Sequence, residues 1–557
     1  MADIETTLND KSPRMPSDPR HASFTLSPDS SQPSPTEQDA SRNPFANNNG
    51  GETFNARVNE ALHHWRVPGL ALAIVDRHTV TAHGYGISQV GGGASPVTPA
   101  TIFDIASMSK SFTAAAMALL VQNEEDEALK EVKWDTPVSK LDPELQFATS
   151  DGDGRQGISV EDILSHRSGL PGHEESLLGI SHADADTPES VVSNIRHLPF
   201  AHALRTTYFY NNLMYTCAAH LVSKLSSTPF ASFLQQNFWD KLDMQRTWLG
   251  PDALPTAEAD AGNVAVGSIY ATSQGKAVEM PHIPEPEGVG AGSIQSCVGD
   301  VARWIHAQIY TLPPLSQDSY KSLRTPRILA DDAIPGLTGM SPTFYCLGWE
   351  VAYYRGVTIV RHDGSWAGFA SSMVYVPERE WGVAILGNSE DAYSAEMEVL
   401  FHLVDTLLGV PEGERFGWRD HYDNKAPEWA HVQTLDELFP ERAEHADDEP
   451  RTDPDLETFV GSYANTGYHR IRLAYDAEKK QIEIDGRDRS YSFVWVVRER
   501  AYGHWYMLEN VDPASGEKST MKCKFDAEEV SGKVKRFGVD LYPNTGDLIW
   551  FEKEEGE

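Results

Sequence analysis

The chain has 557 residues, enough to bury a large core and to form two or three structural units. Its 46 basic and 82 acidic side chains leave a formal charge of -36, which repels phosphate backbones and anionic lipid alike; no nucleic acid and no membrane partner is expected. Cys217, Cys297, Cys346 and Cys523 lie far apart with no C-x-x-C pair, no run of about 18 apolar residues occurs, and the first residues hold no apolar signal region. A cytoplasmic protein in a reducing compartment is the expectation.

Residues 1–53 are rich in Ser, Pro, Asp and Asn and poor in large apolar groups, so they are expected to stay disordered. The segment 54–410 opens with FNARVNEALHHW, an amphipathic helical pattern, and VPGLALAIVD, an apolar run that reads as a buried strand with TVTAHGYGIS as its hairpin partner. A mostly helical stretch follows: SKSFTAAAMALLVQ, VEDILSH, NNLMYTCAAHLVSKLS and ASFLQQNFWDKL place apolar residues three and four apart. Strands return in YCLGWEVAYY, VTIVRHDG, SSMVYVPE and WGVAILGN, before a last helix at AEMEVLFHLVDTLLG. Helices inserted between early and late hairpin strands predict an α/β (α+β) fold, an antiparallel sheet flanked by helices.

Residues 411–452 are charged and punctuated by Pro, which reads as a linker. From 453 to 557, short alternating stretches such as RIRLAY, QIEID, YSFVWVV and HWYMLEN are separated by turn residues, predicting a small all-β barrel or sandwich whose aromatics fill its core.

Ser-x-x-Lys occurs at Ser107, Ser273, Ser515 and Ser519. Ser273 and Ser515 sit in turn-like sequence, and Ser519 and Lys522 fall in an alternating stretch where residues three apart face opposite ways. Only Ser107 and Lys110 open a strong helical pattern, SMSKSFTAAAMALLV, where residues three apart share a face. A serine hydroxyl becomes a nucleophile when a base takes its proton, and a lysine can be that base once burial depresses its pKa. Tyr210, in FYNNLMY, stands just before a helix, where a phenol beside a lysine can share proton transfer. His362, Gly364 and Ser365, in HDGSWAGFASS, border a strand where glycine permits close approach of a substrate backbone. No G-x-S-x-G, H-E-x-x-H or zinc-spaced Cys/His cluster occurs, so neither a nucleophile elbow nor a metal site is expected, and no cofactor is required.

The order Ser107-x-x-Lys110, Tyr210-x-Asn212, His362-x-Gly364 resembles that of the class C β-lactamase and penicillin-binding-protein-like serine hydrolases. VPGLALAIVD, TPATIFDIASMSKSFTA, SVEDILSHRSGLPG, GAGSIQSCVGDVARWI and HDGSWAGFASSMVYVPE look like successive segments of that family, and FVGSYANTGYHRI resembles the lipocalin-like barrel appended to some members. The resemblance implies a β-lactamase-like catalytic domain over 54–410. It also implies acylation of Ser107, proton transfer shared by Lys110 and Tyr210, and a substrate carbonyl or amide held by Asn212. The oxyanion would be held by the backbone N–H groups of Ser107 and Ser365. His362 stands where many β-lactamases carry lysine; an imidazole, largely neutral near pH 7, makes carboxylate-bearing β-lactams poor candidates and an ester or small amide or peptide better ones. The helical region shows no obvious carboxylate for activating a deacylating water, which leaves Tyr210 for that step. A hydrolase, an acyltransferase or transesterase of secondary metabolism using the same acyl-Ser107, and a non-catalytic scaffold of the same shape all remain open here.

Overall fold

In the computed structural model of the protein the described residues are 18–26, 42–46, 48–123, 125–147, 157–271, 274–280, 282, 284–332, 334–366, 368–424, 432–442, 444, 456–527, 533–543 and 547–555. The main sheet has nine strands, all antiparallel to their neighbours. In spatial order they are His21–Thr25, Thr79–Gly86, Gly69–Asp76, Trp381–Gly387, Phe369–Val376, Val357–Trp366, Glu350–Tyr354, Thr343–Tyr345 and Ile328–Asp331. Early and late strands meet where Gly69–Asp76 pairs with Trp381–Gly387, Leu72 opposite Ile385. That pairing closes the chain around the inserted helices.

The Gly69–Asp76 strand is apolar throughout because both its faces are covered. Leu70, Leu72 and Ile74 pack with Val58 and Leu62 of the Asn48–His64 helix and with Leu400 and Val404 of the Ala392–Leu407 helix. Ala71, Ala73 and Val75 belong to the opposite core, with the Ser109–Gln122, Asn212–Ser226 and Val298–Tyr310 helices. Phe112 stacks on Trp304 there at 4.2 Å between ring centroids.

Several segments depart from the sequence expectation: within 1–53, Pro44–Ala46 forms a 3-10 turn and the Asn48–His64 helix begins. Residues 21–25, placed in the disordered 1–53, form a strand that pairs with Thr79–Gly86, His21 opposite His83 and Thr25 opposite Thr79. The sheet edge offers unpaired backbone groups, and Phe24 lies under the Arg303 guanidinium at 4.6 Å, so a short alternating HASFT is ordered by its neighbours although the surrounding composition is polar. The rest of 1–17 and 27–41 lies outside the described residues. In the expected linker, Trp418 is buried against Phe401, with ring centroids 4.4 Å apart, and Phe439 is buried with Ala501 of the barrel. Single large aromatics anchor what composition alone marks as polar spacer.

From Gly461 to Lys553 eight antiparallel strands close into a barrel. Leu473, Ile482, Leu508, Phe525, Phe537 and Phe551 fill it, at alternating positions of their strands. The barrel is docked on the preceding unit. His173 Nδ1 lies 2.5 Å from the Tyr468 hydroxyl, the Gly179 N–H donates to Asp488 O at 2.9 Å, the Ser490 N–H donates to Leu177 O at 3.2 Å, and Leu178 bridges to Arg489. Among the described residues no helix is long and apolar enough to cross a membrane.

Candidate active site

Between Thr101 and Ala118 every residue is buried except Ser107. Ser107 sits in a single 3-10 turn, Ala106–Met108, that runs into the Ser109–Gln122 helix. Ala106 holds a positive φ of 44°, costly for a residue with a side chain, and its N–H donates to Asp104 Oδ1 at 2.7 Å. Asp104 Oδ2 is fixed in turn by Gln295 Nε2 at 2.8 Å. The turn is thus held in a strained shape that presents one hydroxyl to the cleft.

Lys110 Nζ lies 2.9 Å from Ser107 Oγ and donates to Ala291 O at 2.9 Å. The side chain is fully buried, and burial holds the amine well below its ordinary pKa, with Glu174 the opposing charge. The Tyr210 hydroxyl donates to Ser107 Oγ at 2.8 Å, and burial pushes this phenol upward, so it stays protonated. Both proton-carrying groups therefore converge on one oxygen, with the amine biased toward its neutral form.

Tyr210 leans on His166, ring centroids 4.2 Å apart, and the His166 Nδ1 accepts from the Asn211 N–H at 3.0 Å. Burial, reinforced by Lys110, keeps that imidazole neutral. Asn211 caps the Asn212–Ser226 helix by accepting from the Met214 N–H at 3.0 Å. Asn212, the first helical residue, turns into the cleft, and its Nδ2 donates to Glu174 Oε1 at 3.3 Å and to the Tyr491 hydroxyl at 3.2 Å. The Glu174 carboxyl, half-buried, is raised to about 7 by desolvation and then by neighbouring Glu175.

The Val357–Trp366 strand runs beside the Ser107 turn. A Cβ on Gly364 would come within 2.5 Å of Ile105 O and 3.0 Å of Ser107 N, so only glycine fits this approach. Across the ladder, Gly364 faces Ser371, whose hydroxyl donates to Ile105 O at 2.8 Å. Ser365 lines the same cleft as Ser107, Tyr210 and Asn212. His362 does not line it: only 3 % exposed, it donates from Nδ1 to Asp363 O at 2.6 Å and has Nε2 2.9 Å from the Tyr345 hydroxyl. Burial, and then Lys110, lowers its pKa to about 4, so it is neutral as expected. The expectation of direct substrate contact is corrected, since both ring nitrogens are spent inside the protein.

Sequence inspection missed Glu174, Glu285, Glu287, Trp366 and Tyr491. Glu174, from the helical region where no obvious water-activating carboxylate was expected, reaches the site through Asn212. Tyr491 lies in the YSFVWVV stretch whose aromatics were expected to fill the barrel; Phe493, Trp495 and Val497 do so, but Tyr491 stands on the hairpin before the strand and enters the cleft. The Gly-Arg-Asp-Arg-Ser turn ahead of it was the available signal. Ser519 and Lys522 lie on one barrel strand, far from this site, and Ser273 lies outside the described residues. Among the described residues no group of three His, Cys, Asp or Glu side chains is placed to hold a metal ion.

The family model described as Beta-lactamase matches residues 54–429. An unguisins hydrolase of Aspergillus violaceofuscus is 31% identical over 520 residues, covering 88% of this chain and 88% of its own. A beta-lactamase of Pseudomonas fluorescens is 22% identical over 364 residues, 60% of this chain and 93% of its own. Among solved structures, the octameric penicillin-binding protein homologue from Pyrococcus abyssi aligns with a TM-score of 0.54 at 20% identity, over 90% of this chain and 100% of that one.

Proposed function

We propose that this chain, which belongs to the beta-lactamase family, is a serine hydrolase that cleaves an ester or a small amide or peptide through an acyl-enzyme on Ser107. The observation that carries this is the convergence of Lys110 Nζ at 2.9 Å and the Tyr210 hydroxyl at 2.8 Å on the one accessible oxygen of a buried turn. Lys110, neutral through burial, takes the Ser107 proton as Oγ attacks the substrate carbonyl. The Ser107 and Ser365 N–H groups receive the developing oxyanion, an arrangement whose loss typically removes about 2.7–4 kcal/mol. Tyr210, a phenol held against Ser107 Oγ, passes a proton to the leaving group, and water then releases the acyl group by the reverse relay. With Asn212 Nδ2 directed at Glu174 and Tyr491, its Oδ1 is the atom left to receive a substrate N–H. His362 acts as a positioning residue, through Tyr345.

Hydrolysis is favoured over transfer to another acceptor by the hydrolase names of the relatives, two of which, from Aspergillus violaceofuscus and Aspergillus campestris, are called unguisins hydrolases. The buried, unpaired thiols of Cys217, Cys297, Cys346 and Cys523 support a reducing, cytoplasmic setting. An activated fluorophosphonate should add once to the native chain at Ser107, read by intact mass and peptide mapping. No adduct, or an adduct that survives in Ser107→Ala, overturns the assignment.

A further inference from the structure

The cleft above Ser107 is a cavity of about 130 Å³ with an unusual charge balance. Among the described residues its walls carry two carboxyl groups, Glu285 and Glu287, and no lysine, arginine or histidine. Lys110, underneath, is held well below its ordinary pKa by burial. Arg489, next in sequence to the cleft residue Ser490, is spent on the carbonyl oxygens of Tyr468 and Arg470 at 3.0 and 2.9 Å.

Glu287 is the informative group. It is only 2 % exposed; one carboxyl oxygen accepts from the Ser490 hydroxyl of the barrel, and the other, Oε2, has no protein partner. A buried carboxyl oxygen without a donor is expensive, and in a ligand cleft the missing donor is naturally supplied by what enters. Glu285, half-buried, accepts from the Trp366 indole. The Trp366 and Tyr491 rings meet at 4.6 Å with an interplanar angle of 57°, giving two aromatic surfaces beside the carboxylates. Burial pushes both carboxyl groups upward in pKa, and a cation that enters beside them returns them to the charged form, so two carboxyls with adjoining aromatic faces form a receptor for a cationic nitrogen.

We propose that Glu287 and Glu285, with the rings of Trp366 and Tyr491, form a subsite for a protonated amine on the acyl substrate of Ser107. The proposal rests on the acyl-enzyme reading and narrows it to amine-bearing substrates. Because Tyr491 and Ser490 come from the barrel, the subsite exists only with the barrel docked, which gives that domain a part in recognition. A carboxylate-bearing substrate finds no cationic side chain there among the described residues, and makes ionising the two glutamates costlier still.

The test uses the full chain and three fluorophosphonates on identical propyl chains ending in an ammonium, a methyl or a carboxylate, with Ser107 labelling rates read by intact mass. Work at about 0.15 M salt screens the overall negative charge beyond roughly 8 Å. The ammonium probe is expected to label about tenfold faster than the methyl probe or more, and the carboxylate probe slowest. Equal rates, or a faster methyl or carboxylate probe, overturn the subsite. In Glu287→Gln the ammonium-to-methyl ratio falls toward one; a ratio kept at its wild-type value overturns the assignment, including where both probes slow together as misfolding would make them. No adduct with any probe overturns the Ser107 reading itself, and the subsite with it.

Discussion

Replacing Lys110 by methionine should abolish reaction at Ser107 and at the same time stabilise the protein near neutral pH. The amine is fully buried, and its ordinary value of 10.5 is pulled well down by desolvation. Carrying it neutral at pH 7 costs up to about 5 kcal/mol, at 1.36 kcal/mol per pH unit below 10.5. Methionine fills similar volume without that penalty, but leaves Ala291 O without its donor, which costs about 1–3 kcal/mol, and gives up the contact with Ser107 Oγ, worth about 1 kcal/mol. A net gain of up to about 3 kcal/mol remains. The sign of the pH dependence follows from linkage: below 10.5 the unfolded chain binds a proton that the native state does not. Wild-type stability therefore rises with pH toward 10.5, and the advantage of the variant shrinks over the same range. Melting temperatures of both proteins from pH 6 to 10 and fluorophosphonate labelling rates check both halves; labelling should fall at least about 100-fold. A variant that is less stable at pH 7 by a margin that does not change with pH, or that labels normally, would refute the account of Lys110 as a buried neutral base.

Tyr210→Phe removes a hydroxyl whose partner is Ser107 Oγ and leaves the ring on His166, so kcat/KM toward an alkyl ester, whose alkoxide needs a proton to leave, should drop about 100-fold or more while the melting temperature stays within about 2 °C; unchanged turnover with lower stability would make the tyrosine a packing residue. Glu174→Gln keeps an acceptor for Asn212 but removes a carboxyl raised from 4.5 to about 7. In the wild type this group is uncharged when folded below about 7, so native stability declines as pH rises from 4.5 through 7. The glutamine variant should therefore match the wild type at pH 4.5 and exceed it at pH 8 by up to about 3 kcal/mol, as denaturant unfolding at the two pH values will report; equal differences at both would place the carboxyl in solvent.

Local pattern singled out the candidate residues that lie within one element or next to a helix start. Ser107 and Lys110 were legible because three residues of helical rise bring side chains together, and the adjoining apolar run already announced that the lysine would be desolvated. Tyr210 and Asn212 marked a helix start, Gly364 a place of close approach, and alternation announced the barrel. The strand at 21–25 was hidden because its order comes from a sheet edge contributed by residues 79–86.

The sequence by itself thus singled out the Ser107 and Lys110 pair, the sheet and the separate barrel through spacings of two, three or four residues, and the β-lactamase-like character through the resemblance of successive segments. Only the tertiary structure decided what surrounds Ser107. Glu174, Glu285, Trp366 and Tyr491 come from a turn, a loop, a strand end and a barrel hairpin that share no periodicity. It also decided the protonation states, because the desolvation that lowers Lys110 and raises Glu174 comes from packing between segments far apart in the chain. His362 was rightly read as neutral, yet its burial behind Tyr345 could be settled only by the fold.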